Sequence, residues 1–136
     1  MPPLMTPEQF VDRMVGVPWR RWAADFDAVD CYGLVVLYFR AVLGVDIGAV
    51  PKTDIAQGFA SITGWEQCER ASPGAVGFMT WRDGAPTHCG VVMPDGGLLH
   101  AQEGYPIPEH GSVRRSRLAA MARACPDLRF YRYRPT

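Results

Sequence analysis

Apolar and polar positions follow one spacing in the first third of the chain and another in its second half. Thr6-Pro7-Glu8-Gln9 opens the first regular segment: a threonine suited to the N-cap, a proline at the first helical position, and a glutamine where a capping box needs it. A helix over residues 7–14 is predicted, ended by Gly16-Val17-Pro18. Residues 19–29 (WRRWAADFDAV) show no clean period and are expected to form a loop. From Asp30 the pattern sharpens. Leu34, Leu37, Tyr38, Ala41 and Val42 recur at three- and four-residue steps, and Val35 and Val36 fill the spaces between, as in a central, mostly buried helix. Asp30 is its expected N-cap and Gly44 its left-handed end, which puts Cys31 in the first turn. Thr53 or Asp54 is suited to cap a shorter helix over 55–62.

After Trp65 the texture turns to short apolar segments bounded by turn residues. Strands are predicted over 74–81 (GAVGFMTW), 88–93 (HCGVVM) and 98–102 (LLHAQ), with Arg82-Asp83-Gly84-Ala85-Pro86 and Pro94-Asp95-Gly96-Gly97 as the connections. The second connection is a strong hairpin signal. Pairing Met93 with Leu98 around it places His88 opposite Glu103, and a bulge that shifts the register brings His100 opposite Cys89 to Gly90. Further strands are expected over 112–114 and 128–133, with an alanine-rich helix from about residue 116 to 124 between them. Helices first and an antiparallel meander afterwards is the order of an α+β domain, and all 136 residues are read as a single domain without repeats or a linker.

Composition narrows the function classes. The hydrophobic fraction of 48% and the length suffice for one core, and equal numbers of acidic and basic residues give no net charge. A general nucleic-acid binder would carry a basic excess, so no nucleic-acid partner is expected, and the arginines toward the C-terminus read as a solvated face. No apolar run approaches the ~18–20 residues of a membrane span, and the first residues lack a basic stretch followed by an apolar one, so neither a membrane partner nor a secretory signal is expected. Cys31, Cys68, Cys89 and Cys125 form no closely spaced pair, which argues against a disulfide framework. His88 and Cys89 are adjacent, which is not a usual zinc-ligand spacing, so no metal and no cofactor are expected.

Three residues carry the candidate chemistry, and each taken singly also fits a structural role: Cys31 as core volume, His88 as an exposed edge residue, His100 as a satisfied core histidine. Their joint placement points elsewhere. Two imidazoles at one end of a hairpin and a thiol in the first turn of the preceding helix suit a thiolate nucleophile. In that arrangement His88 is the base, later the acid, and His100 fixes the tautomer and orientation of His88. Trp19, or a backbone N–H at the helix start, is placed to hold the oxyanion. Cys68, Cys89 and Cys125 are expected to be dispensable, with Cys89 positioned to pack beside the site.

The segments VDCYGLVVLYFRAVLGVDI, PGAVGFM and THCGVVMPDGGLLHA together resemble the NlpC/P60 family of cell-wall cysteine peptidases, over residues 17–133. The D-C-x-G-L-V helix start is the most specific element, and the hairpin with histidines twelve residues apart is next. The DCYGLV…LG form is similar in particular to the phage-tail branch, which includes tail-tip assembly proteins of the lambda K type and gene-transfer-agent relatives. The resemblance implies a papain-like α+β fold and hydrolysis of γ-D-glutamyl–diamino-acid bonds in peptidoglycan stem peptides. It implies Cys31 as nucleophile, His88 as base and His100 as the polar third residue. Trp19 stands where many members have an oxyanion-site tyrosine, and Asp30 where the family places an acid near the stem-peptide amine. Tyr32, with Trp19 and Asp30 a candidate oxyanion or substrate-binding residue, replaces the serine common after the nucleophile, and Ala75 replaces an aspartate.

Two other readings share these residues: a tail assembly or structural module that keeps the fold without turnover, and a CHAP-type peptidoglycan amidase. The permuted lipid acyltransferases place histidine before cysteine, so chain order disfavours them. Without its own signal, the protein is expected to be made in the cytoplasm and to reach the wall with a phage or phage-like tail, whose proteins are its expected partners.

Overall fold

The computed structural model describes residues 4–48, 50, 64–69 and 76–134. The helix expected over 55–62 and Ala75 lie outside the described residues. Helix α1, Pro7–Met14, begins with the expected capping box: Thr6 Oγ1 accepts from the Gln9 N–H at 3.1 Å, and Gln9 Oε1 accepts from the Thr6 N–H at 2.9 Å. Its apolar side buries Phe10 and Met14 completely, and the Phe10 ring meets Tyr38 edge-on with centroids 5.2 Å apart.

Residues 19–29 are more ordered than the missing period suggests. Asp25 Oδ1 accepts from the N–H groups of both Asp27 and Ala28 at 2.9 Å, and this side-chain turn pairs β1 (Ala24–Asp25) with β2 (Ala28–Val29). The hairpin delivers the chain to helix α2, Cys31–Tyr38, which runs on into a π-helical turn, Phe39–Leu43, closed by Gly44 at φ 69°.

The start of α2 is tied down from two directions. Asp30 caps it, with Oδ1 accepting from the Gly33 N–H at 2.7 Å and Oδ2 accepting from the Trp22 N–H at 2.7 Å. The Asp30 N–H donates to the Ala23 carbonyl at 3.0 Å. These bonds pull the Trp22–Ala23 backbone onto the first helical turn so closely that a Cβ at position 33 would be driven into the Ala23 carbonyl oxygen. Trp22 itself holds φ 63°, a conformation a bulky residue adopts only where its surroundings impose it.

Six strands form one antiparallel sheet in the order β3 (Trp65–Cys68), β8 (Asp127–Tyr133), β4 (Gly77–Arg82), β5 (Ala85–Val92), β6 (Leu98–Gln102), β7 (Ser112–Ser116). The meander β4 to β7 agrees with expectation. Strand β8, after helix α3 (Leu118–Ala124), returns to lie between β4 and β3. The expected sheet lacked β3, whose four residues gain strand character from their pairing with β8. Strand β5 begins at Ala85, so the β4–β5 turn is shorter than its Gly- and Pro-containing sequence suggests, and Ser116 ends a strand where it was expected to open a helix.

One face of the sheet, with Met79, Cys89, Val91, Leu99, Ala101, Val113 and Tyr131, packs with α1 and α2 into the core. Their cross-strand pairings, Met79 with Cys89, Val91 with Leu99 and Ala101 with Val113, put them on a common face. The opposite face carries Phe78, Thr80, His88, Leu98 and His100. Among the described residues no helix is long and apolar enough to cross a membrane.

Two substitutions test this account of the helix start. Gly33→Ala is expected to prevent native folding, seen as loss of a cooperative thermal transition, because backbone rather than a movable side chain blocks the new methyl group. Asp30→Ala is expected to cost about 2 kcal/mol in urea unfolding, since it leaves a buried N–H of the helix start without its acceptor. An unchanged unfolding midpoint would show that the carboxylate does not hold the two segments together.

Candidate active site

Cys31 occupies the first turn of α2, partly exposed, on the end of the helix where unpaired N–H groups and the helix dipole favour negative charge. It meets β5 at two consecutive residues. The Cys89 thiol and backbone N–H and the His88 imidazole all hydrogen-bond to its sulfur. Together they draw the Cys31 thiol well below its ordinary range, the Cys89 thiol contributing most, against burial, which acts the other way. Cys89 is pushed in the opposite direction by its contact with Cys31 and by complete burial, so the pair loses one proton from Cys31 while Cys89 keeps its own.

The two histidines meet through the sheet. The β5–β6 ladder pairs Val91 with Leu99 and Val92 with Leu98, one position away from the expected Met93–Leu98 pairing. The cause is the turn: the Met93 N–H donates to the Gly97 carbonyl at 2.8 Å, which draws Met93 into the connection and makes it five residues long. Continuing this register places His100 opposite Gly90, on the same sheet face as His88 two residues earlier. Gly90 is what lets the strands close here, because a Cβ would lie 2.5 Å from the Leu99 carbonyl oxygen and 2.6 Å from the Phe78 ring. Phe78 backs both imidazoles edge-on, at 6.5 and 6.2 Å between centroids.

His88 Nε2 and His100 Nδ1 are 3.0 Å apart, and His100 Nε2 lies 2.8 Å from Ser116 Oγ. With His88 Nε2 engaged in this way, Nδ1 is the nitrogen left to face the thiol. His100 is only 4% exposed. Burial, then the neighbouring His88 and Arg114, lower its pKa from 6.5 to about 4, so near neutral pH it is an uncharged hydrogen-bonding group.

The structure therefore brings Cys31, His88 and His100 together, and it gives Trp19, Asp30 and Tyr32 other surroundings. The Trp19 side chain is buried in the core, its backbone bridges Val29, and its N–H donates to the Gly111 carbonyl at 3.0 Å. Asp30 directs both carboxylate oxygens at backbone N–H groups and is 8% exposed; burial raises its pKa to about 6. Tyr32 is buried with its hydroxyl accepting from the Trp65 indole at 3.2 Å, and burial lifts its pKa to about 12. All three side chains are thus buried beside the site.

One residue escaped the sequence reading, and one was only partly read. Cys89 packs beside the site as expected, and its hydrogen bond to the nucleophile candidate was not foreseen. Ser116 has no comparable sequence signal, because it reaches His100 through a pairing that joins Leu98 to Ser116 and His100 to Arg114. Around His88 the surface opens into a cleft lined also by Thr80, Thr87, Gln102, Met121 and Cys125.

Comparison with known proteins identifies the fold and the family. The fold is similar to the crystal structure of the NlpC/p60 domain of the peptidoglycan hydrolase SagA, with a TM-score of 0.58 at 20% sequence identity, covering 92% of this chain and 95% of that one. No curated protein matches the chain in sequence. The NlpC/P60 family model matches residues 16–118, a span that contains the helix start, both histidines and Ser116. The chain belongs to the NlpC/P60 family of cysteine peptidases and peptidoglycan hydrolases.

Proposed function

We propose that this protein is a cysteine endopeptidase that hydrolyses γ-D-glutamyl–diamino-acid bonds of peptidoglycan stem peptides, with Cys31, His88 and His100 as its catalytic group. The observation that carries the reading is the Cys31 thiol at a capped helix start, drawn toward the thiolate by His88 and Cys89, with His88 held from behind by an uncharged His100. Nothing in the fold requires two hydrogen-bonded imidazoles beside a thiol.

In the reaction this arrangement supports, the Cys31 thiolate attacks the carbonyl carbon of the scissile amide. The developing oxyanion is met by backbone N–H groups of the first turn of α2, since the Trp19 side chain is buried in the core. His88 gives its Nδ1 proton to the leaving amine, the C–N bond breaks, and a thioester to Cys31 remains. Water then loses a proton to His88 and attacks the thioester, which frees the new carboxylate and restores the thiolate beside a protonated His88. Throughout, His88 Nε2–H donates to His100 Nδ1, so the ring is fixed while its other nitrogen exchanges the proton. The cleft beside His88 gives the leaving side of the substrate a place to sit.

The choice of bond follows the family, and the DCYGLV…LG form supports attachment to a phage or phage-like tail that carries the enzyme to the wall. Detection of the protein in purified particles by peptide mass spectrometry would test that carrier, and its consistent absence there would remove it.

Mass spectrometry of purified muropeptides tests the chemistry. Wild-type protein should yield products cut after the D-glutamate, and Cys31→Ala and His88→Ala should yield none while unfolding normally. His100→Ala should retain part of the activity, because orientation is lost rather than a reacting group. Cleavage between sugar and peptide would move the protein to the amidases, and a folded but inert wild type would favour a structural tail module. Cys89→Ala should raise the pH at which Cys31 becomes reactive to iodoacetamide, followed peptide by peptide. An unmoved titration would show that Cys89 does not stabilise the thiolate.

A further inference from the structure

The relay behind the thiol has a fourth member. We propose that Ser116 is a positioning residue: its hydroxyl accepts from His100 Nε2–H and thereby holds the one tautomer of His100 that lets His88 work as base. The inference rests on the reading that His88 exchanges protons with Cys31. It concerns a residue that touches neither the thiol nor the substrate.

The argument is one of proton counting. An uncharged imidazole has one N–H and one acceptor nitrogen. When His88 takes a proton it carries N–H on both nitrogens, and its Nε2–H, 3.0 Å from His100 Nδ1, needs an acceptor there. His100 offers one only with its own proton on Nε2, and that proton then points at Ser116 Oγ, 2.8 Å away. With the proton on Nδ1 instead, His100 would donate to His88 Nε2. His88 would then carry its own hydrogen on Nδ1 and present the thiol with a donor where an acceptor is required. Without an acceptor at position 116 the working tautomer leaves a buried N–H unpaired, while the idle one does not.

The sheet supplies the placement. Strand β7 pairs His100 with Arg114 and Leu98 with Ser116, so His100 and Ser116 lie diagonally across neighbouring strands on one face, within reach of an imidazole. His100 is enclosed, with Ser116 half-buried beside it. Burial, then the neighbouring His88 and Arg114, keeps the His100 ring in its uncharged form, where the tautomer decides the outcome.

The test compares Ser116→Thr, which keeps the hydroxyl, with Ser116→Val, which replaces it by a methyl group at matched volume, and with Ser116→Ala. The primary readout is the pH dependence of Cys31 alkylation by iodoacetamide, resolved at the Cys31 peptide by mass spectrometry. It needs no substrate and therefore stands even if the proposed bond specificity is wrong. Val and Ala variants should shift the onset of Cys31 reactivity to higher pH, with about a tenfold slower alkylation below neutrality if one hydrogen bond is lost. The Thr variant should follow the wild type. In muropeptide assays the Val and Ala variants should lose kcat with KM unchanged. Alkylation profiles for folded Val and Thr variants that both superimpose on wild type would overturn the proposal, as would a Thr variant as impaired as Val. Should the Ala or Val protein fail to fold, Ser116→Cys, a weaker acceptor of similar size, should give an intermediate shift; none would count against the role.

Discussion

The placement of the nucleophile hangs on one carboxylate. Asp30 takes the Gly33 N–H on one oxygen and the Trp22 N–H on the other, joining the start of α2 to the segment that precedes the small β1–β2 hairpin. Capping alone would need only the first of these bonds. The second fixes the backbone that crosses the first turn, explains why position 33 has no room for a side chain, and holds Trp22 in a left-handed conformation. Cys31 is therefore presented from a rigid corner. The D-C-x-G motif thus has a physical reading in which the acid ties, the cysteine reacts and the glycine permits the crossing.

The histidines come from a different source of order. They lie on the face of the sheet away from the main core, and what aligns them is strand register: Gly90 allows β6 to approach, Phe78 backs both rings, and β7 adds Ser116 behind His100. Helix and sheet join at His88 and Cys89, adjacent residues whose side chains leave β5 on opposite faces. One approaches Cys31 as a base and the other as a thiol that keeps its proton. A single strand segment thereby controls both the charge of the nucleophile and the removal of its proton.

Local chemistry made much of this legible in sequence. The Thr6 and Asp30 caps, the left-handed Gly44 and the buried α2 depend on residues within a few positions of one another, and each appears as expected. Cys31, His88 and His100 were legible because motif and spacing survive a small error in register. Long-range pairing decided the remainder. Strand β3 depends on β8 for its pairing, the hairpin register turned on a single Met93–Gly97 hydrogen bond, and Ser116 gained meaning only from the β6–β7 ladder. The family resemblance suggested that Trp19, Asp30 and Tyr32 meet the oxyanion or the substrate. In the structure all three side chains are buried, and they brace the corner that presents Cys31.

Burial also sets Asp30 and His100 against each other as proton ligands. Asp30 ionises near 6 in the folded chain and at 3.8 unperturbed, so between those values the folded state holds a proton the unfolded chain has released, and its contribution to stability falls as pH rises. His100 ionises near 4 when folded and at 6.5 unperturbed; there the unfolded chain holds the extra proton, and its contribution rises with pH. Each displacement is worth roughly 3 kcal/mol, and over their shared interval the two slopes oppose. The acid that anchors the nucleophile and the base that steadies its partner therefore form a compensated pair, whose opposite contributions to the pH dependence of stability largely cancel between about pH 4 and 6.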